Sequence, residues 1–334
     1  MALKLARDPF SDVLSTAAFR AAATAQKIGV FDTLRDGPLT SAELANRLAT
    51  DERGIRLLLE TLEIFGYIAR DGDRYANTTM TAEWLLPGDP TNFAGAFAFW
   101  ETLLFELWGN LEKSVRSGEP PLDFYQWLER NPETLRTFQT MLRTIARGAA
   151  PEVAEKVKVP ADARRLLDIG GSHGEFSAAF CRAYPSLSAT VLDLPGALES
   201  ARETVAEFGD RITLQPGNFL TDASFGSGYD VVLLMSVVHG HLPDENIELL
   251  RKVAAALKPG GQMVILEQLA GGKKKTAVNA GTAFNRVFSL NLFHLQGGQT
   301  YSYEEIVRWL REAGFRKPRK VKLSPGDSLV MATR

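Results

Sequence analysis

An α/β chain with a doubly wound sheet, preceded by a smaller helical domain, is the fold class this sequence predicts, and three observations predict it. A short apolar run, Arg165 to Ile169, ends at glycines 170, 171 and 174, and a helical segment from Phe176 to Tyr184 follows directly. That order is strand, tight turn and helix start. Nineteen residues beyond Gly174 a second apolar run delivers Asp193, and strand-length and helix-length runs then alternate to the C-terminus, the pattern of a doubly wound sheet. The stretch before residue 90 instead reads as helices followed by one hairpin.

Within that first stretch, Val13, Leu14, Ala17, Ala18, Ala21, Ala25, Ile28 and Phe31 recur at three- and four-residue spacing, so residues 11–35 form an amphipathic, alanine-rich helix. Thr40 or Ser41 caps a second helix carrying Leu44, Ala45 and Leu48. A third, Ile55 to Phe65, ends at Gly66, and Tyr67 to Ala76 turns back on itself around Asp71-Gly72. Helix, helix, helix, hairpin is winged-helix order. Winged helices often bind DNA, but from Phe31 to Trp84 six arginines face ten acidic residues, a net charge of −4. The helix that would enter the groove carries Glu60 and Glu63 and is otherwise mostly leucine, which suits a protein neighbour and not phosphate. The expectation is dimerisation through a domain spanning 1–90.

Residues 91–160 are aromatic and helical and are expected to link the domains and cover a substrate. Phe93, Phe97, Phe99, Trp100, Phe105 and Trp108 precede a Gly118-Glu119-Pro120-Pro121 break, and Asn131-Pro132-Glu133 starts a helix with Leu135, Phe138, Met141 and Ile145. Such a stripe is ordinarily core; here Phe138 and Met141 are also candidates to roof an apolar pocket.

From 161 to 334 the expected strands are Arg165 to Ile169, Ala189 to Leu194, Ile212 to Gln215, Asp230 to Val238, Gln262 to Glu267, Val321 to Ser324 and Ser328 to Thr333. The last two are separated only by Pro325-Gly326-Asp327. They must pair as an antiparallel hairpin, because a parallel crossover needs about a dozen residues.

Composition narrows the function. The chain has 334 residues, 45% hydrophobic and 23% charged, with a formal charge of −2, which excludes a generally basic nucleic-acid binder. Its one cysteine, Cys181, cannot form an intrachain disulfide, and a reducing compartment fits. No run of 18 apolar residues occurs, and charges interrupt the N-terminal Met-Ala-Leu-Lys-Leu-Ala-Arg-Asp-Pro. The expectation is a cytoplasmic protein without a membrane span.

The glycine turn opens the main chain to a ligand, and Asp193 at the next strand tip offers a carboxylate that can accept both hydroxyls of a ribose. Glycines 170, 171 and 174 do not fit G-x-G-x-x-G in any register, so a nicotinamide dinucleotide is disfavoured. Asp168 beside the glycines would repel a pyrophosphate. S-adenosylmethionine has a ribose, an adenine and a cationic sulfur without phosphate. The plain alternative is an ordinary α/β turn with surface acids.

Asp168-Ile-Gly-Gly-Ser-His-Gly174, Asp193-Leu-Pro195, Pro216-Gly-Asn-Phe219, Asp230 to His239, Lys258-Pro-Gly-Gly261 through Glu267, and Ala313-Gly-Phe315 together resemble the S-adenosylmethionine-dependent small-molecule O-methyltransferases. The closer likeness is to the caffeic acid and hydroxyindole type, whose winged-helix-like N-terminal domain dimerises. The likeness extends from Ala21 to Arg334 and implies a seven-stranded, Rossmann-like sheet with its last-inserted strand antiparallel. It implies that Asp168, Gly170, Gly171 and Gly174 line the methionine end of the donor, that Asp193 binds the ribose, that Leu194 packs on the adenine, and that Asn218 and Phe219 flank it. The family usually has Asp where Asn218 stands. The resemblance also places the acceptor pocket at the helix of Phe284, Asn285 and Phe288.

Methyl transfer to a hydroxyl needs removal of the acceptor's proton, for which a histidine near neutral pKa is suited. His239 ends the Asp230 to Val238 run, at the carboxyl edge where doubly wound sheets bind ligands, and is the expected base. The family reads His-Asp-Trp-x-Asp here, whereas this chain reads His239-Gly240-His241-Leu242-Pro243-Asp244; a shift of register leaves His241 as an alternative base. The family orients its histidine with two acids. Glu267 matches the first, and Thr300 stands where the second is expected. That departure points to a more acidic acceptor such as a phenol or enol, or to C-methylation, N-methylation or a non-methylating reaction. A metal at His239-x-His241 lacks a third ligand at motif spacing, so no metal is expected.

Overall fold

The computed structural model describes residues 8–86, 93–271, 280–324 and 326–334. Residues 1–7, 87–92, 272–279 and Pro325 lie outside the described residues. The chain forms two compact units, a larger one of Asn110–Pro132 with Ile145–Arg334 and a smaller one of the residues up to Gly109 with Glu133–Thr144.

The smaller unit begins with α1 (Pro9–Lys27), whose Asp8 cap accepts from Phe10 N at 3.1 Å. The 11–35 helix expected from periodicity is two helices, because Gly29 at φ +86° ends α1 and starts α2 (Val30–Thr33). After β1 (Leu39–Thr40), α3 (Ser41–Leu48) is closed by a capping box: Glu43 N donates to Thr40 Oγ1 at 3.2 Å and Thr40 N to Glu43 Oε2 at 2.8 Å. Asp51 caps α4 (Glu52–Ile64), and β2 (Ile68–Asp71) pairs with β3 (Arg74–Asn77) in a three-stranded sheet of order β1-β3-β2. Phe31, Leu44, Leu59, Leu62 and Ile68 are its buried centre, while α4 and the residue after it expose Leu57, Ile64 and Phe65. Helices α5 (Thr79–Leu85) and α6 (Ala94–Thr102) follow, and α6 runs into a π-helical turn at Leu103–Leu107. The buried Glu101 is held by Arg20 and, at 2.6 Å, by Lys27.

The larger unit takes α7 (Leu111–Ser117), α8 (Phe124–Arg130) and the C-terminal part of α9 (Pro132–Lys156) before its sheet begins. In chain order come β4 (Arg165–Ile169), α10 (Glu175–Ala183), β5 (Ser188–Asp193), α11 (Pro195–Leu198), α12 (Ala201–Val205), β6 (Ile212–Pro216), β7 (Tyr229–Met235), α13 (Pro243–Ala256), β8 (Leu257–Glu267), α14 (Ala280–Gln296), α15 (Tyr303–Glu312), β9 (Arg316–Lys322) and β10 (Ser328–Thr333). The seven strands lie in the order β6-β5-β4-β7-β8-β10-β9, parallel except that β10 runs antiparallel to both β8 and β9. Strands β4, β7 and β8 are buried on both faces, as parallel strands covered by helices must be. Leu166, Val191, Leu233 and Val264 pack toward Ala178 and Phe180 of α10; Leu167, Ile169, Leu234 and Ile265 pack toward Leu250 of α13 and Trp309 of α15.

Because β5 and β7 flank β4 on opposite sides, the strand order reverses at β4, and the carboxyl ends there open a crevice. Three strands differ clearly from their sequence expectation, among them β8, which starts at Leu257 and not at Gln262. The run Asp230 to Val238 stops at Met235, since Ser236 adopts φ +59° and a single 3-10 turn, Val238–Gly240, follows. Strand β9 starts at Arg316; its Arg-Lys-Pro-Arg-Lys sequence has no apolar alternation because it is a sheet edge, where charges and Pro discourage further pairing. Among the described residues, no helix is long and apolar enough to cross a membrane.

Candidate active site

Four strand ends build the site. At β4, Gly170 turns at φ +69° with its N–H on Leu192 O at 2.8 Å, and a Cβ there would lie 2.8 Å from Val237 Cγ2. Gly171 sits directly on Asp168: a Cβ would fall 2.7 Å from the Asp168 carboxyl carbon. Side chains at these two positions would fill the concavity, so glycine is what keeps the main chain open to a ligand. Gly174 caps α10, with its N–H on Gly171 O at 2.8 Å.

Asp193, at the tip of β5, accepts from Ser172 N through Oδ2 at 2.8 Å and from Leu194 N through Oδ1 at 2.7 Å. Each oxygen keeps a lone pair, so the carboxylate is aimed and still able to take a hydroxyl pair. Asp168 is fully buried; Oδ2 accepts from the Ser177 hydroxyl at 2.8 Å, and Oδ1 has no partner among the described residues. Burial, reinforced by the negative charge of Asp193, pushes its carboxyl up to about 7. Burial also raises Asp193, against the two N–H groups that lower it. A buried acid and a half-buried one beside it fit a cationic, phosphate-free nucleoside such as S-adenosylmethionine. The free oxygen of Asp168 and the glycine cradle beside it are where such a group would be held.

The loop after β6 closes the far side. Asn218 uses Oδ1 to accept from Leu220 N at 3.0 Å, and its own N–H goes to Asp222 Oδ2 at 3.0 Å. Its side-chain N–H2 takes no part in either bond. Lys252 of α13 ties this loop down, donating to the carbonyls of Phe219 at 2.6 Å, Leu220 at 3.1 Å and Asp222 at 3.0 Å. Sequence reading missed both Asp222 and Lys252.

His239 occupies the 3-10 turn beyond β7. Its Nδ1 lies 2.6 Å from Glu267 Oε2, and its backbone N–H donates to Glu267 Oε1 at 3.3 Å. A carboxylate only accepts, so Nδ1 carries the proton and Nε2 is the basic nitrogen. The Phe288 ring meets the imidazole edge to face at 5.4 Å and stacks with Phe284 at 5.9 Å. His241 instead packs against Phe219 at 5.4 Å, and burial lowers its imidazole. Three further groups fix the turn: Asn246 Nδ2 donates to Val238 O at 2.9 Å and His241 O at 3.1 Å, Tyr301 Oη donates to His241 O at 2.6 Å, and Gly298 packs on the His239 carbonyl. Asn246 had a signal in the sequence, a lone amide within the buried stripe of Leu249, Leu250 and Val253.

Thr300, where the second acid was expected, turns to α14: its hydroxyl donates to Asn285 Oδ1 at 3.3 Å, and Asn285 Nδ2 donates to Leu269 O at 3.3 Å. Asn285 is thereby engaged with protein at both ends of its amide. Phe138 and Met141 belong to the smaller unit, where Phe138 packs on Phe99 at 5.0 Å and Met141 is buried. Among the described residues, no group of three or more His, Cys, Asp or Glu could hold a metal ion.

Residues 110–316 match the O-methyltransferase domain, and residues 13–88 match the O-methyltransferase dimerisation domain. The chain belongs to the O-methyltransferase family. This methyltransferase is 32% identical over 313 residues to the 3-hydroxy-5-methyl-1-naphthoate 3-O-methyltransferase of Streptomyces sahachiroi, covering 91% of this chain and 88% of that one. Among solved structures, that of the mitomycin 7-O-methyltransferase MmcR superposes with a TM-score of 0.87 at 28% identity, covering 98% of this chain and 97% of the other. The structure of PigF with SAH superposes with a TM-score of 0.86 at 25% identity, covering 98% and 99%. The methyltransferase is accordingly S-adenosylmethionine-dependent, with a seven-stranded sheet and an N-terminal helical domain of the family's kind.

Proposed function

We propose that this chain is a homodimeric enzyme that methylates a hydroxyl of an aromatic or polyketide-like small molecule, with His239 as general base and Glu267 orienting it. The observation that carries the reading is the 2.6 Å contact between His239 Nδ1 and Glu267, which leaves Nε2 as the basic nitrogen. S-adenosylmethionine, when bound, supplies an electrophilic methyl on a cationic sulfur. His239 Nε2 takes the acceptor's hydroxyl proton, and the imidazolium so formed is stabilised by the Glu267 carboxylate. Asp193 and the glycine turn at 170–174 hold the nucleoside, and the Asn218–Phe219 segment borders its base.

With Thr300 committed to Asn285, Glu267 is the one acid in hydrogen-bond contact with His239 among the described residues. One carboxylate supports the imidazolium less than two, which favours acceptors that give up a proton readily, such as phenols and enols. The stacked Phe284 and Phe288 suit a flat apolar acceptor, and the naphthoate specificity of the Streptomyces sahachiroi relative supports the same class. Exposed Leu57 and Ile64 on the smaller unit's α4, with Phe65 just after it, support a second copy as its neighbour in place of nucleic acid. A buried, free Cys181 is compatible with a reducing cytoplasm.

A screen with isotopically labelled methyl donor against phenols, hydroxynaphthoates and hydroxyquinones tests the acceptor class; label on carbon or nitrogen instead of oxygen would replace this reading with C- or N-methylation. His239→Gln tests the base. It should lower kcat by about 10²- to 10⁴-fold while binding of S-adenosylhomocysteine is retained, and a variant with near-normal rate would remove His239 from that role.

A further inference from the structure

A hydroxyl and an imidazole 180 residues apart in the chain meet inside the larger unit, outside both the donor cradle and the His239–Glu267 dyad. Ser114 of α7 and His294 of α14 are fully buried, and Ser114 Oγ lies 2.8 Å from His294 Nδ1. We infer that this pair positions the acceptor by fixing the rotation of α14, a role that rests on the reading of Phe284 and Phe288 as the acceptor's wall.

Successive helix residues turn by about 100°, so Phe284, Phe288, Asn291 and Leu295 share one face of α14, with Asn285 and Ser289 on one flank and His294 on the other. The face meets the base, Phe288 lying edge to face with His239 at 5.4 Å. Thr300 grips the first flank: its hydroxyl donates to Asn285 Oδ1 at 3.3 Å and its N–H to Ser289 Oγ at 3.2 Å. Ser114 grips the second. Apolar side chains alone let neighbouring helices turn against each other at little cost, whereas a buried polar pair is satisfied in one arrangement and is expensive to separate. With both flanks tied, the phenylalanine face keeps one orientation toward His239. The end of the helix is braced from the same side: a Cβ on Gly297 would lie 3.6 Å from Pro120 Cγ, in the connection that follows α7.

A serine beside a histidine is also the pairing of a nucleophile with its base. Here both side chains are wholly enclosed, so no substrate reaches the hydroxyl, and the pair acts by position. The turn of His239 has its own ties, to Glu267, Asn246 and Tyr301, none of them on α7 or α14. Loosening α14 therefore shifts the acceptor's wall and leaves the base and the donor cradle in place.

Steady-state kinetics with labelled donor tests this, the acceptor being whichever of the phenols, hydroxynaphthoates and hydroxyquinones the parent enzyme methylates fastest. Ser114→Cys keeps the side chain's size and replaces a strong hydrogen-bonding group by a weak one; Ser114→Ala removes it. The acceptor's KM should rise about threefold in Ser114→Cys and about tenfold in Ser114→Ala, the scale of one hydrogen bond, while kcat changes less and the donor's KM and S-adenosylhomocysteine affinity stay at parental values. A merely structural role would instead lower the folded fraction, reducing kcat and leaving both KM values alone. Should Ser114→Ala fail to fold, Ser114→Cys carries the test. A parental acceptor KM in the folded variants, whatever kcat does, or a donor KM that rises in step with it, overturns the inference. Failure of the O-methylation reading looks different: the label then sits on carbon or nitrogen of the acceptor in the parent enzyme, and the KM comparison runs on that acceptor unchanged.

Discussion

Gly298→Ala is the sharpest probe of how the catalytic turn is held. A Cβ built on Gly298 would stand 2.1 Å from the His239 carbonyl oxygen, 2.6 Å from the Gly240 carbonyl carbon and 2.8 Å from His241 N. All three are main-chain atoms, so no side-chain rotation relieves the clash. Restoring ordinary contact needs a displacement of roughly 1 Å, and the segment that must give is the 3-10 turn carrying His239, because Gly298 is buried after α14. Overpacking of this kind costs about 1–3 kcal/mol of stability, and a 1 Å misplacement of a reacting group costs about 10²-fold in rate. The donor cradle at 168–174 and 193–194 is built by other strand ends. The expected result is therefore a kcat lower by about 10²-fold with S-adenosylhomocysteine affinity, read by calorimetry, within a few-fold of the parent. Parental kcat in a folded Gly298→Ala protein would refute the claim that this glycine sets the position of His239.

The remaining predictions concern the donor cradle and its acids. Asp168 is pushed up to about 7 in the folded protein against about 3.9 in an unfolded chain, so between these values the folded state binds more protons. This group's stabilising contribution is complete below about pH 4 and is lost as pH rises to about 7. Asp168→Asn should flatten that part of the pH–stability profile in urea unfolding; an identical slope in the variant would count against it. Since a cation beside Asp168 favours its charged form, donor binding near neutral pH should release protons, seen as a calorimetric enthalpy that varies with buffer ionisation heat, and Asp168→Asn should weaken that dependence. Asp193→Ala should reduce S-adenosylhomocysteine affinity by about 10²-fold, since it removes a charged acceptor of hydroxyl hydrogen bonds; unchanged affinity would move the ribose elsewhere. Lys252→Met should loosen the 218–222 loop and raise the donor KM more than it lowers kcat.

Much of this molecule is legible in order along the chain. The glycine turn at 170–174, the acid at 193, the Thr40 cap, the Asp71-Gly72 hairpin and the antiparallel closing hairpin are local features, fixed by backbone conformations and connection lengths that a few consecutive residues impose. The sheet, its switch point and the family resemblance follow from such features taken in sequence. What remained outside that reading depends on partners far apart in the chain. That Lys252 ties down the loop of Phe219, that Asn246 and Tyr301 pin the turn of His239 and that Thr300 is spent on Asn285 are decided by which elements neighbour one another. Hydrogen bonds and charges act over a few ångströms whatever the sequence separation, so only the assembled sheet determines which of these side chains are within reach. Residue type and spacing thus set the chemistry available at each strand end, and tertiary packing selected which groups share one site.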